Sequence, residues 1–418
     1  TTAQFDADRV AVLDHLQGRA DVERLFAAGF CIGGHLAFRA ALDPRVEATV
    51  CFYPTGLQDG ALGADADAGS LARAADIGGR LMVVFGSRDP HVPPDARLQV
   101  VSALYAAGLT DLELHVYAGG DPAGMDDVEP GRDAKSPDLR GAYAHALKSV
   151  AVGRDGAVYV SVGSTGNVSV GDLTASPPRA SILRIPPGGG APEPYAVGVR
   201  NGTGLAVAPD GAVWTAVNNR DNVAYPFDRP YGETSGSSFG KVIAAYVRDH
   251  PAEALAKLTP GRNLGWPYCN PDPDVQPGVA GSAQNPSDVA FTNDVQLNPG
   301  GGKLDCATLP PVEATLGGHS APLGLSFVDG TLPGAYARGA LVGVHGSWNA
   351  SPPRAPEVSF FPWENGGLGR QQTLVGGFQA ADGSRWGRPV AAVAGPDGAV
   401  YITDDQAGAV YRLVPTRP

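Results

Sequence analysis

Three times in the second half of this chain one strand, an Asp-Gly turn and a second strand recur, a repetition that confines the fold to few architectures. The copies run from Val150 to Val160 around Asp155-Gly156, from Leu205 to Thr215 around Asp210-Gly211, and from Val393 to Ile402 around Asp397-Gly398. Asp-Gly between two apolar runs is a hairpin signal, because the tight turn needs positive φ and glycine supplies it without strain. The first two turns lie about 55 positions apart, near the roughly 40 to 50 residues of a four-stranded propeller blade. The gap to the third leaves room for two or three further blades, one of them around Leu323 to Phe327 and Ala340 to Val344. A β-sandwich with similar hairpins is the other architecture these modules allow.

The first 120 residues obey another grammar. Helical signals at Asp8 to Gly18, Gly33 to Ala41 and Asp95 to Ala107 alternate with apolar strands at Arg24 to Phe30, Ala48 to Tyr53, Arg80 to Phe85 and Leu112 to Tyr117. Strands separated by helical periods read as βαβ units on a parallel sheet. The chain is therefore expected to be multidomain, with a partial α/β sheet over 1–120, a Gly-, Asp- and Pro-rich linker over 121–142, and a mainly-β propeller over 143–418. The excess of 57 Gly and 37 Pro in 418 residues belongs to turns.

Lys and Arg number 31 against 43 Asp and Glu, a net charge of −12 without basic blocks, which argues against nucleic acid or an anionic lipid surface. A neutral or cationic small ligand suits this balance better. No window holds 18 uninterrupted apolar residues and no basic-then-apolar leader opens the sequence, so neither a membrane span nor an intact signal peptide is expected. Long turn-rich insertions at Asn218 to Ser238 and Asn270 to Gly302 are where binding groups tend to lie.

Gly29-Phe-Cys31-Ile-Gly33 follows an apolar strand and opens a helix, the Gly-x-nucleophile-x-Gly arrangement in which small flanking residues permit a sharp turn. A helix N-terminus favours a thiolate at Cys31. Asp89 stands in the loop after the strand Arg80 to Phe85, where a carboxylate could orient a histidine. With Leu112 to Tyr117, these residues resemble the dienelactone hydrolase family, α/β-hydrolases with a Cys-His-Asp triad, in which Cys31 and Asp89 would be nucleophile and acid. The family's histidine follows the last core strand, where this chain has Pro122 nearby, and the strands that precede the elbow in that family are missing. Little hydrolase activity is therefore expected, and Cys31 and Cys51 read equally as small core residues of a remnant domain.

Polar clusters adjoin the β-rich strands of the second half. They are His145, Arg200-Asn201, Asn218-Asn219-Arg220-Asp221, Gly265-Trp266-Pro267, Gly318-His319-Ser320, His345-Gly346-Ser347-Trp348-Asn349 and Gly387-Arg388-Pro389-Val390. In a propeller, positions beside successive blades converge on the axis and can line one pocket. In this order the clusters resemble the soluble glucose and sorbosone dehydrogenase family, six-bladed propellers that oxidise sugars with pyrroloquinoline quinone (PQQ) and Ca2+.

That resemblance makes His145 the general base and Arg200 the group that steadies the developing oxyanion. It assigns Asn201, Trp266, His319, Trp348 and Arg388 to the cofactor, Arg388 against one of its carboxylates. Asn218, Arg220 and Asp221 mark the calcium region. Ala350 replaces an arginine frequent in the family, with Arg354 four residues on as its substitute, and the blade that should precede His145 is replaced by the hydrolase-like segment. A sugar substrate and an electron acceptor are the implied partners. Because the family is typically exported and both cysteines lie in one Pro-flanked insertion region, a Cys269–Cys306 disulfide and a periplasmic or secreted location are expected. An inactive propeller that binds a saccharide or a protein is the remaining alternative.

Overall fold

The computed structural model describes residues 1–20, 22–86, 89–117, 145, 149–347 and 350–414, so the proposed linker, Pro122 and Trp348 lie outside the described residues. All three Asp-Gly phrases close as hairpins of one geometry. Gly156, Gly211 and Gly398 have φ of 80°, 89° and 76°. In each turn the aspartate Oδ1 accepts the amide two residues on, at 3.0, 2.9 and 3.2 Å. This Asx contact occupies an amide the ladder leaves unpaired, which is why aspartate precedes glycine every time.

Four sheets of three or more strands are built on these and related hairpins among the described residues, beside a two-stranded pair of Cys269–Pro271 with Phe291–Asn293. The first contains Val150–Val152, Val158–Val162, Ser181–Ile185 and Glu193–Val197, with Arg262–Asn263 added in parallel. The second contains Gly204–Val207, Val213–Ala216, Glu253–Leu258 and Ala314–Leu316. Pro322–Asp329, Arg338–Val344, Glu357–Glu364 and Gln372–Val375 make the third, and Pro389–Ala394, Val400–Asp404 and Ala409–Leu413 the fourth. The pairing of Pro322–Asp329 with Arg338–Val344 bears out the blade expected there. A six-bladed ring would hold two more such sheets than these four.

The first strands of successive sheets pack on one another. A Cβ on Gly204 would sit 2.8 Å from Leu325 Cβ, and one on Gly324 2.5 Å from Ala391 Cβ. Glycine is thus required where the innermost strands approach most closely. Apolar layers fill the spaces between sheets: Ile182, Val213 and Leu258 between the first and second, Trp214, Val342 and Phe361 between the second and third, and Phe360, Val400 and Ile402 between the third and fourth. The Cys269–Cys306 disulfide is present, with Cα atoms 5.7 Å apart.

The chain divides into two compact units, Thr1–Lys135 and Ser136–Pro418. In the first, strands β1 (Leu25–Phe30), β2 (Val46–Phe52), β3 (Arg80–Gly86) and β4 (Leu112–Tyr117) form a parallel sheet in that order. Helices α1 (Thr2–Gln17), α2 (Ile32–Ala41) and α3 (Pro94–Ala106) accompany it. Phe38, Leu81, Val83, Phe85 and Leu104 are fully buried in its core. No helix among the described residues is long and apolar enough to cross a membrane.

Candidate functional site

In the first unit the chain turns from β1 into α2 at Cys31, whose φ of 57° is left-handed. Such a conformation in a residue bearing a Cβ is costly and is characteristic of a nucleophile elbow. Of the motif's two glycines only Gly29 is demanded by contact, since a Cβ there would lie 1.9 Å from Gly33 O, whereas one on Gly33 would meet open space; the next residue, Gly34, is also required, its Cβ falling 2.5 Å from Phe52 O. The exposed thiol lies 3.5 Å from Thr55 Oγ1. Asp89 is buried and its Oδ1 accepts the His91 amide at 2.8 Å. Burial raises the pKa of Tyr53, and the nearby Cys31 and Asp89 charges raise it further, so the tyrosine neighbours both expected triad members. No imidazole is hydrogen-bonded to Cys31 Sγ among the described residues. Cys51 is a core residue, its thiol pushed up by burial.

In the second unit, residues dispersed from 145 to 388 converge on one cavity of about 250 Å3, lined by His145, Arg200, Asn201, Asn218, Asn219, Asp221, Glu253, His319, Ala321, His345, Gly346 and Arg388. The topology accounts for this. Arg200-Asn201, His319 and Arg388 precede the innermost strands of the second, third and fourth sheets, and Asn218 to Asp221 and His345 follow second strands. All are therefore carried on strand ends rather than on separate loops.

His145 is fixed through Nδ1, which lies 3.0 Å from the Ser164 carbonyl and 2.9 Å from Ser164 Oγ. A carbonyl only accepts, so the ring proton belongs on Nδ1 and the basic lone pair on Nε2. The ring also needs Gly163 beneath it, since a Cβ there would lie 2.6 Å from His145 Cβ.

Arg200 is buried and all five of its N–H donors have acceptors: Nε on Asn167 O, Nη1 on the Asn218 and Asn219 carbonyls at 3.1 and 2.7 Å, and Nη2 on Asn167 Oδ1 and Asp221 Oδ2. Burial lowers its pKa, opposed by Asp221 and Glu253. With these hydrogen bonds engaged, Arg200 presents a buried positive charge beside the cavity.

The expected calcium region adjoins the same network. The carbonyls of Asn218 and Asn219 accept from Arg200, and Asp221 is shared between Arg200 and His319 Nδ1, the latter 3.4 Å away. Arg220 turns from the cavity into a buried pair with Asp294 and a bond to Gln296. These oxygens are engaged by a guanidinium and an imidazole.

His319 donates from Nε2 to Val247 O at 2.6 Å while Nδ1 faces the Asp221 carboxylate, so both nitrogens meet acceptors and the imidazolium is favoured. Burial opposes that charge, but Asp221 and Glu253 outweigh it and the pKa is raised. Glu253 receives the Asn219 amide on Oε2 at 2.6 Å, and burial pushes its carboxyl up to about 7. Arg388 hangs from the His345 carbonyl by Nε at 2.8 Å and from the Gly346 carbonyl by Nη2 at 3.2 Å. Its Nη1 edge has no acceptor among the described residues. His345 is paired with Asp405 at 2.8 Å.

Two other expected cofactor contacts lie away from the cavity. Trp266 is buried with its indole N–H on Asn167 O at 3.2 Å, beneath the Arg200 network. Arg354 bonds Gly318 O and Asp249 rather than substituting at Ala350. Sequence reasoning missed Glu253. For Glu253 the signal was a single acid in the apolar run Ala252 to Ala256, a position where an unpaired carboxylate is rare.

An oriented imidazole, a buried guanidinium and an open guanidinium edge thus meet in one sheet-built cavity. Residues 141–416 match the TrAA12-like family model, and the chain belongs to that PQQ-dependent sugar dehydrogenase family. Residues 1–139 match the model of the dienelactone hydrolase family. Similar solved structures include the PQQ domain of pyranose dehydrogenase from Coprinopsis cinerea, 22% identical over 64% of this chain and 69% of that chain, with a TM-score of 0.48. A carbohydrate-active enzyme of family AA12 from Trichoderma reesei is 19% identical over 64% and 67%, with a TM-score of 0.47. A Saccharomyces cerevisiae protein named as a carboxymethylenebutenolidase by inference is 35% identical over 115 residues, 27% of this chain and 42% of that protein. The chain thus spans less than half the length of that relative.

Proposed function

We propose that the unit Ser136–Pro418 oxidises the hydroxyl or aldehyde carbon of an aldose- or sorbosone-like sugar, passing electrons through PQQ to a separate acceptor. The observation that supports it is the convergence of His145, Arg200, Asn201, Asn218, Asp221, His319, His345 and Arg388 on one cavity. PQQ is a polycarboxylate, and a cavity bearing Arg200, protonated His319 and the open edge of Arg388 suits it. Arg388 would hold a carboxylate, with Asn201 and His319 beside it. PQQ, when bound, supplies a two-electron acceptor for hydride from the substrate carbon.

The chain's own work is proton transfer and placement. His145 Nε2 takes the sugar hydroxyl proton, because its Nδ1 proton is committed to Ser164. Arg200 holds the 218–221 turn and places positive field beneath the developing negative charge. The disulfide fits a location outside the reducing cytosol, periplasmic or secreted.

Reconstitution with PQQ, followed by dye reduction over a panel of aldoses, tests this reading. Arg388→Ala should weaken PQQ binding roughly ten- to a hundredfold by loss of a charge-assisted hydrogen bond. Unchanged PQQ affinity in that variant would remove Arg388 from the cofactor. PQQ binding without turnover on any sugar would favour the saccharide-binding alternative.

A further inference from the structure

We propose that His250, Asp272 and Asp274, outside the cavity, form a structural site for a divalent cation of the zinc class. The three ligand atoms lie within 4.8 Å of one another. The side chains are 3%, 5% and 5% exposed, and His250 Nε2 is 3.3 Å from Asp272 Oδ1 and from Asp274 Oδ2. Neither approach makes a hydrogen bond: Nε2 of His250 and Oδ2 of both aspartates are buried without hydrogen-bond partners among the described residues. Two carboxylates and an imidazole are thus held in ion-pair contact in the interior, with carboxylate oxygens left without hydrogen bonds, an arrangement that a shared cation would complete.

The orientation of the imidazole supports a metal. His250 Nδ1 lies 2.9 Å from Tyr246 O, which can only accept, so Nδ1 carries a proton and Nε2 is the nitrogen turned toward the carboxylates. A backbone carbonyl on the opposite nitrogen is the usual outer partner of a metal-bound histidine. Zinc bonds of roughly 2.0 to 2.1 Å in a tetrahedron set ligands about 3.3 Å apart, the spacing of the imidazole from each carboxylate here. An imidazole with two carboxylates suits zinc or manganese better than calcium, which takes oxygen ligands. The ring stacks on Tyr246 at 3.9 Å, and Tyr225 and Tyr231 complete an aromatic wall.

Local sequence builds the site simply. Asp272 and Asp274 are two apart in an extended Pro-Asp-Pro-Asp segment, a spacing that sends side chains to one face. The segment leaves the strand Cys269–Pro271, which begins at the disulfide. His250 follows the short turn whose Tyr246 carbonyl holds it and whose Val247 carbonyl holds His319 of the cavity. A metal here would brace the turn that orients His319.

The test uses the full chain with its disulfide intact, stripped with chelator and loaded separately with zinc sulfate, manganese chloride, calcium chloride or cobalt chloride. After gel filtration, elemental analysis should find about one zinc per chain, lost in Asp274→Asn and His250→Gln and retained in Asp221→Asn and His145→Ala. Wild-type chain loaded with cobalt should show visible d–d absorption that zinc abolishes, a reading that does not depend on any variant folding. Absence of both zinc and cobalt signal in the wild type overturns the site. So do zinc retained by a folded Asp274→Asn, retention of calcium alone, and zinc lost from the cavity variants, which would assign the metal to the cavity.

Discussion

The N-terminal unit presents Cys31 on a single strained turn, whereas the C-terminal unit assembles its cavity from the strand ends of separate sheets. Cys31 owes its place to the six contiguous residues Gly29 to Gly34, with Gly29 and Gly34 pressed against backbone atoms. His145 and Arg388 are 243 positions apart, yet line the same cavity. A contiguous site can outlast the loss of its partners, because its geometry is local; a dispersed site exists only while the sheets remain stacked. The elbow therefore shows a turn suited to nucleophilic chemistry, while the cavity shows cooperating groups.

The largest expected effect breaks the two units apart. A positioned base contributes typically a hundred- to ten-thousand-fold in rate, so His145→Ala should lower kcat for dye-linked sugar oxidation by about that factor while PQQ titration stays largely unchanged. Cys31→Ser should leave that activity intact, and ester turnover by the wild-type chain should be slight. Near-full turnover by His145→Ala would transfer the base to His319 or His345. Measurable p-nitrophenyl ester hydrolysis that vanishes in Cys31→Ser would instead make the elbow a working site.

What was legible in the sequence follows the same division. Every helix and strand expected in the first 120 residues is found, with ends shifted by a few residues, because periodicity and the elbow glycines act over short range. The Asp-Gly hairpins were legible for the same reason. Which member of Asn218-Asn219-Arg220-Asp221 faces the cavity was not, because that depends on where Asp294 and Gln296 lie to draw Arg220 away. Trp266 likewise went to support the Arg200 network from beneath, a choice set by a bond to Asn167, which is distant in sequence. The acid Glu253 escaped notice because its surroundings read as ordinary strand.

The cysteines sharpen the comparison at a smaller scale. Cys31 and Cys51 are free thiols in the first unit, while Cys269 and Cys306 are bonded in the second. Titration of the unfolded, unreduced chain should find those two free thiols, and all four after reduction. Closing a loop of 37 residues stabilises by about 4 kcal/mol in the chain-entropy picture, so reduction should lower the stability of the second unit by up to that amount. The first unit should be unaffected; equal loss in both units would show that they do not unfold independently.

The smallest effect concerns pH, where the two units should respond with opposite sign. Glu253 is buried against the Asn219 amide, with Asp221, His319 and Arg200 around it, and its carboxyl is raised from 4.5 to about 7. Folding thus favours the protonated form, so this stabilisation is fully present below pH 4.5 and lost as pH rises through 7, at most about 3 kcal/mol. His319, also raised, acts in the same direction. In the first unit His35 is fully buried and its pKa is lowered, first by burial and then by Arg39, with Asp59 and a Thr55 backbone hydrogen bond opposing. Its contribution is present above pH 6.5 and lost as pH falls. All five tryptophans lie beyond residue 135, and three long helices lie before it, so tryptophan fluorescence reads the second unit and helical circular dichroism mainly the first. Urea unfolding between pH 5 and 8 should show the fluorescence midpoint falling with pH and the dichroism midpoint rising. Glu253→Gln should flatten the first slope and leave the second; a fluorescence slope unchanged by Glu253→Gln would mean that the buried acid is ionised throughout and that the cavity holds one more negative charge than its geometry implies.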